Sequence, residues 1–512
     1  MSTPAGIADD TPVLIGVGQL TVRDEPLDAL SSPLDLIERA ADLAADDAGL
    51  GRAALAGIDQ IAVVKSFREP TRNSAESLAN RLGVENAEHW LVPDGGQAPQ
   101  ALVNHYAEAI ADGRARYVLL AGAEAMDNAR RLIKSGGKPN WQEPAEHDAK
   151  YLFPDKPMGT RHESDHGIWR ANHVYPLFEN ALRGHYGETI AEYQQRLGAL
   201  FARFTDVAAE SPTAWFPVRR SAGEIASVGP KNRYVAFPHT KFMNAMNQIN
   251  QSAVLLITSV GQARKLGVPA ARWVYLHGCA DTSERGFMSG RVNYHSAPAV
   301  KVMAEQALGM AGKSIEDIDF IDIYSCFPCA VAIARDEFGI DRDDTRALTV
   351  TGGLPFHGGA GNSYSMNAIA TMADRVRETP GSYGFVSANG GYLSKHAGGI
   401  YSTDAIHGRW SREDPASYQG AIDALPAPAL NEQPSGPARL ETYTVTFGRD
   451  GAPERGIVIG RLGHDDDTTA PRFLANLPED RALLESVTEQ DFLGMRGQVS
   501  HEGGLNRFEP AD

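Results

Sequence analysis

The chain has 512 residues, 42% of them hydrophobic, and carries 48 Lys and Arg against 65 Asp and Glu for a formal charge of −17. Such a length suggests roughly two to four domains, and so acidic a balance argues against a broad nucleic-acid or acidic-membrane footprint, which needs a basic face. Three cysteines, Cys279, Cys326 and Cys329, are too few for a disulfide framework and fit a reducing, cytoplasmic setting. The acidic start MSTPAGIADDTP has no apolar core, and no apolar run approaches the ~18 residues of a membrane span, so neither a signal peptide nor a span is expected.

In chain order, Val13–Gln19, Gln60–Val64 and Tyr117–Ala121 are short runs rich in Val, Ile and Leu, separated by amphipathic helical patterns. Runs of this kind predict buried parallel strands. Pro33 opens a helix that puts Ile37, Ala40, Ala41 and Ala44 on one face. Residues 127–245 break the pattern with three Trp, several His and long helical stretches, and read as a domain inserted into the first half (11–126 and 246–282), whose strands resume at Ala253–Ser259 and finish at Val274–Gly278. A second half follows over 283–405. Residues 406–439, Pro-rich from Leu425, form a linker, and 440–512 read as a small β-rich unit, with a hairpin around Asp450-Gly451 and short strands at Phe473–Leu474 and Gly497–Ser500. An OB-like barrel that folds by itself is the expected form, serving as a docking surface for a protein or an acyl-CoA. Its few aromatics and acidic runs oppose nucleic-acid binding. His464 and Asp465–Asp467 read as a solvated turn.

The two halves repeat one another. Residues 36–63 and 300–323 share a helix, a Gly turn and a strand, and 94–110 matches 357–373, where Gly95 and Gly96 fall opposite Gly358 and Gly359 at the starts of two helices. Helix N-termini carry partial positive charge, so two such loops facing one another suit an anionic thioester. The plain alternative is that the glycines only serve tight strand-to-helix turns.

The order and spacing of AIADGRARYVLLAGAEAMD (109–127), HYGETIAEYQQRLGALFARFTDVAAESPTAWF (185–216), FPHTKFMNAMNQINQSAVLLITS (237–259), DFIDIYSCFPCAVA (319–332), TGGLPFHGGAGNSY (351–364) and GFVSANGGYLSKHAGGIYST (384–403) resemble the thiolase superfamily over residues 11 to about 405. The nearest branches are the sterol-carrier-protein-linked and acetyl-CoA acetyltransferase-like ones. The resemblance implies a five-layered αβαβα sandwich of two βαβαβαββ halves, with CoA or acyl-CoA as ligand and a place in lipid or fatty acid metabolism. Thiolase chemistry uses a Cys nucleophile, a His that activates it, a second Cys as acid and base, and an Asn or His in an oxyanion site. Those four positions fall here on Gly96 (or Gly95), Gly359, Ala388 and Tyr324.

Every one is substituted, which implies that classical thiolase activity is absent. Cys326 and His357 are the possible residual participants, should any acyl transfer proceed by another route. The alternative is a non-catalytic partner, scaffold or acyl-CoA carrier for another enzyme of lipid metabolism. Cys326-Phe-Pro-Cys329 also admits a redox reading, although buried cysteines often act as small hydrophobes; a zinc site would have only one further Cys, so no metal is expected. His357 and His396 also read as hydrogen-bonded loop residues. Within the insertion, Arg219, Arg220, Lys231, Arg233 and Lys241 are candidates for CoA phosphates.

Overall fold

The computed structural model describes residues 6–68, 71–463 and 467–511; of the turn expected at 464–467, only Asp467 lies within them. The first half runs through β1 (Pro12–Thr21), α1 (Pro33–Asp47), β2 (Gln60–Val64), α2 (Ser74–Leu82), β3 (Glu88–Val92), α3 (Ala98–Ala111) and β4 (Tyr117–Ala125). The insertion supplies α4 (Met126–Lys134), α5 (Arg161–Asp165), α6 (Ala171–Tyr186), α7 (Ile190–Glu210), α8 (Ala222–Ala226), β5 (Tyr234–Ala236) and β6 (His239–Thr240), before β7 (Asn250–Ser259) and α9 (Val260–Leu266). The second half comprises β8 (Val274–Ser283), α10 (Pro298–Ala311), β9 (Phe320–Ile323), α11 (Pro328–Glu337), α12 (Tyr364–Glu378), β10 (Tyr383–Gly390) and β11 (Lys395–Ser402). After α13 (Pro415–Asp423) the chain closes with β12 (Gly436–Phe447), β13 (Pro453–Leu462), β14 (Arg472–Asn476), α14 (Arg481–Ser486), β15 (Arg496–Glu502) and β16 (Leu505–Pro510).

Nine strands lie in the order β3-β2-β4-β7-β1-β8-β11-β10-β9. Read outward from the β1/β8 junction, each half has its first strand innermost, then its last, then the strands before it, so the sequence repeat is a repeat of topology. The second half's counterpart of β3 is an extended segment that gives one backbone bond, Ile323 N–H to Leu348 O at 3.0 Å. The helices α3 and α12 each pack on strands of both halves and form the central layer, while α1 covers β1, β4 and β7 from outside and α10 covers β8 and β11. This is the expected five-layered sandwich. Its close helix–strand contacts depend on glycine in both halves: a Cβ on Gly18 would fall 2.6 Å from Ala44 N, and one on Gly278 would fall 3.0 Å from Ala307 C.

Two sequence expectations need correction. The apolar runs are buried on both faces, but the only parallel pairings in the first half are those of β2 with β3 and with β4; β7 runs antiparallel to both of its neighbours, β4 and β1. Double burial, not parallel pairing, produced the all-apolar pattern. Further, β8 pairs with β11 from Ser283 to Tyr275 but with β1 at only two positions, so it opens the second half rather than closing the first.

The C-terminal strands form a closed five-stranded barrel, β12-β13-β14-β16-β15 and back to β12, with α14 between β14 and β15. That is the expected OB-like unit, but it is not a separate one. Linker residues pair with it, Asn431 N–H donating to Arg472 O and Arg472 N–H to Ala429 O, both at 2.8 Å. On the other side β12 pairs with β5 of the insertion at Thr446 and Ala236. The α6 helix lies along β12: Asn180 Nδ2 donates to Tyr443 O at 2.8 Å, and buried Arg183 binds both Asp491 oxygens at 2.9 and 2.6 Å. These contacts tie the barrel to the linker and the insertion, so buried polar groups on both sides of the junction find partners across it.

Candidate functional site

The loops that carry Gly95–Gly96 and Gly358–Gly359 come together at the centre of the sandwich, as the repeat implied. Asn362, just before α12, accepts from Gly95 N–H at 3.0 Å and donates to Lys65 O and Asp94 Oδ1, each at 2.9 Å, while Ser365 Oγ donates to Gly96 O at 2.7 Å. Gly359 N–H donates to Met246 O at 3.1 Å. Gly358 has φ of +125°, a conformation that favours glycine.

The space beside Gly96 is occupied. A Cβ built there would lie 2.5 Å from both Tyr324 Cζ and Asn389 O, and closer still to the Tyr324 hydroxyl. Tyr324 is buried, held edge-on against Tyr364 with ring centres 5.5 Å apart, and burial pushes its phenol far above the ordinary range, so it stays neutral. The two residues that the sequence resemblance sets at the nucleophile and oxyanion positions, one in each half, thus share one space: Gly96 has no side chain, and the Tyr324 ring fills the gap beside it. At Gly359 a Cβ would meet Asn247 Oδ1 at 2.6 Å, and Ala388 is a fully buried strand residue opposite Ala397.

The two residual candidates are buried and uncharged. Burial pushes the Cys326 thiol up to about 12, and its neighbour Asn389 Nδ2 lies 3.8 Å from Sγ. Cys329 is driven further up, by burial first and then by the Glu179 carboxylate. Neither is a thiolate near neutral pH, and both are free rather than bonded to one another. Cys329 instead joins Glu179 and His239, whose ligand-type atoms lie within 4.8 Å of one another. This cluster closes on itself through hydrogen bonds: His239 Nε2 meets Glu179 Oε2 at 2.6 Å, and Tyr193 Oη and Cys329 N–H donate to the same carboxylate at 2.6 and 2.8 Å. His357 contacts Thr213 Oγ1 through Nε2 at 3.2 Å.

Burial pulls the imidazole of His357 down to about 4 and that of His396 down to about 3. The unfolded chain takes up protons at both sites as pH falls through about 6.5, whereas the native chain does so only near those depressed values, so stability is lost on acidification. Asp322, raised by burial to about 6, works in the opposite sense between 6 and its ordinary 3.8. The two histidines outweigh it. The expected result is a net loss on the order of 2 kcal/mol between pH 7.5 and 5, read from urea midpoints at the two pH values; a midpoint that rises on acidification contradicts it.

One cleft opens beside these loops. With a volume of about 780 Å³, it is lined by Phe216, Arg220, Lys231, Arg233, Lys241, Phe242, Met246, Pro355, Phe356 and Arg449, with Pro230 at its margin. Four of the five cations singled out in the sequence meet here; Arg219 does not, because it pairs with Asp206 and Glu210 on the surface. Among the described residues none of the cleft's Arg220, Lys231, Arg233, Lys241 and Arg449 makes an ion pair. The Arg220 guanidinium lies 4.1 Å from the Phe242 ring centre. Met246, whose carbonyl holds Gly359 N–H, also lines the cleft, so the cleft borders the Gly359 loop. Sequence reasoning missed Arg449, a hairpin residue whose fellow cations in the cleft lie over 200 positions earlier.

Comparison with known proteins places this geometry in a family. The model of the thiolase-like protein type 1 additional C-terminal domain matches residues 417–504, which take in α13 and most of the barrel. A monomeric SCP2-thiolase-like protein type 1 from Mycobacterium smegmatis is 36% identical, with 99% of this chain and 100% of that one covered and a TM-score of 0.85. An acetyl-CoA acetyltransferase from Syntrophomonas wolfei (15% identity, 77% and 99% covered, TM-score 0.57) and the dimeric peroxisomal thiolase of Saccharomyces cerevisiae (13%, 78% and 98%, 0.55) share the fold of the sandwich. Curated proteins return no match. Among the described residues no helix is long and apolar enough to cross a membrane. From the two symmetric halves, the barrel that follows them and a full-length relative at 36% identity, we conclude that the chain belongs to the SCP2-thiolase-like protein type 1 family.

Proposed function

We propose that this protein binds CoA or an acyl-CoA in the cation-lined cleft and does not carry out thiolase chemistry. The observation that carries the reading is the set of five cations, without carboxylate partners among the described residues, gathered in one cleft of a chain with a charge of −17. Unneutralised like charges repel, so such a set is stable where an anion completes it. The cleft's volume lies within the range of small-molecule sites, and its wall is both charged and apolar: phosphates suit Arg220, Lys231, Arg233 and Lys241, and a pantetheine arm suits Phe216, Phe356 and Met246 on the way to the Gly359 loop. The thiolase relatives named above act as an analogy for the ligand class, not as proof of it.

Binding without chemistry is the simplest consequence of the Gly96 and Tyr324 geometry. A carrier or partner for another enzyme of lipid metabolism, in a cytoplasmic setting, fits that consequence, and the barrel offers a further surface for a partner. Titration of the full chain with CoA by calorimetry tests the reading. We expect saturable heat and a rise in the unfolding temperature, since a ligand that prefers the native state stabilises it. Lys231→Ala combined with Arg233→Ala is expected to weaken binding about ten-fold or more, as charge-assisted contacts are lost. No heat and no thermal shift at millimolar CoA would remove the reading.

A further inference from the structure

The cleft has one wall that the thiolase-like sandwich and its insertion do not supply. Arg449 sits in the turn between β12 and β13, at the tip of the barrel's first hairpin, and lines the cleft with the insertion's cations. The tip is not a loose loop. Gly448 N–H donates to Ala452 O at 2.9 Å, Gly451 N–H to Gly448 O at 3.1 Å, and Ala452 N–H to Asp450 Oδ1 at 3.1 Å.

The hairpin is also fixed against the insertion. Thr446 pairs with Ala236, Phe237 N–H donates to Val445 O at 2.9 Å, Thr444 Oγ1 donates to Phe237 O at 2.8 Å, and the Phe447 ring packs on Tyr234 at 5.4 Å between centres. From the Thr446 and Ala236 pair one chain runs on into the hairpin turn at Arg449 and the other leads back to Arg233, and both arginines line the cleft. Like charges gathered in one cleft repel, and neither arginine has a carboxylate partner among the described residues. Such an arrangement is relieved by an anion held between the two side chains.

We infer that the barrel completes the ligand site, with Arg449 and Arg233 clamping one phosphate group of a CoA-type ligand from opposite sides. The inference rests on the proposed binding of CoA in this cleft. It gives the C-terminal domain a role within the site, as a wall that selects phosphorylated ligands. A phosphate carries between one and two negative charges near neutral pH and offers three acceptor oxygens, which matches two planar guanidinium groups.

The test uses the full chain, CoA as ligand and calorimetry at 50 and 200 mM salt. Arg449→Ala is expected to weaken CoA binding about ten-fold at the lower salt and to flatten the salt dependence, with Arg449→Lys intermediate because it keeps the charge but loses the planar fork. Arg507→Ala, an equal charge change on exposed β16 away from the cleft, serves as control and is expected to stay within about two-fold of the parent. Because Arg449 is exposed and its removal takes away a repulsion, the ligand-free unfolding midpoint of Arg449→Ala should not fall. If Arg449→Ala binds like the parent while the Lys231 and Arg233 double variant does not, CoA binding stands and the barrel's role falls. Equal losses in Arg449→Ala and Arg507→Ala would reduce the effect to overall charge and also overturn it. A parent protein that binds no CoA removes both readings together.

Discussion

Gly96→Cys is expected to lower stability by about 1–3 kcal/mol or more, the cost of overpacking a well-filled core, and to yield neither an acyl adduct with acetyl-CoA nor turnover of a 3-ketoacyl-CoA. The new side chain has no room: its Cβ alone would overlap the Tyr324 phenol and crowd Asn389 O. Tyr324→Ala by itself leaves a cavity and is expected to cost about 3–5 kcal/mol, by analogy with other aromatic truncations. The two changes share one space, so in the double variant the costs should not add, and the coupling should favour the pair by about 0.5–3 kcal/mol. The double variant clears the phenol but leaves Asn389 O 2.5 Å from the new Cβ, and the positions that align with the second Cys and the His are still Ala388 and Gly359. Urea unfolding of all four proteins and intact-mass spectra after acetyl-CoA treatment check this. An adduct in Gly96→Cys alone would contradict the steric account.

The second large effect concerns the junction of barrel and sandwich. Arg472 is fully buried and gives its guanidinium to Glu441 at 2.7 and 3.1 Å and to Arg291 O and Ser289 O at 2.5 and 3.1 Å. Arg461, also buried, binds the same carboxylate at 3.0 Å. The two arginines hold the Glu441 carboxyl below its usual range against the opposing effect of burial, which is the largest single influence on it. Glu441→Ala leaves two buried guanidinium groups without a counter-charge. We expect a loss of about 3–5 kcal/mol, the usual result of removing one partner of a buried ion pair, and Glu441→Gln is expected to recover part of it through hydrogen bonding. A midpoint unchanged in Glu441→Ala would mean that the barrel does not depend on this junction.

What the sequence made legible follows from which interactions are local. The repeated helix and strand pattern at 36–63 and 300–323 marks one hydrophobic period in each half, and the barrel's first hairpin announces itself through Asp450-Gly451 and its flanking β-formers. Strand direction was not legible, because an apolar run buried on both faces looks the same in a parallel and an antiparallel pair. The origin of β8 in the second half was hidden for a similar reason: its partner β11 lies more than 100 residues later.

The site divides along the same line. Arg220, Lys231, Arg233 and Lys241 could be singled out because they lie close together in the chain, whereas Arg449 belongs to them only through the Thr446 and Ala236 pairing. The loss of a nucleophile at Gly96 was visible in the sequence, but its filling by Tyr324 was not, since that contact joins two halves across 228 positions. Arg219 shows the reverse error: its place next to Arg220 suggested a shared role, and the helical carboxylates of Asp206 and Glu210 claim it instead.

A crystal structure of the native full chain grown with CoA tests the central claim most directly. The account predicts the phosphates among Arg220, Lys231, Arg233, Lys241 and Arg449, the pantetheine arm against Phe356 and Met246, and the Tyr324 ring still beside Gly96. A ligand bound at another surface with the cleft vacant, or a thioester reaching the Gly96 position with Tyr324 displaced, would contradict it.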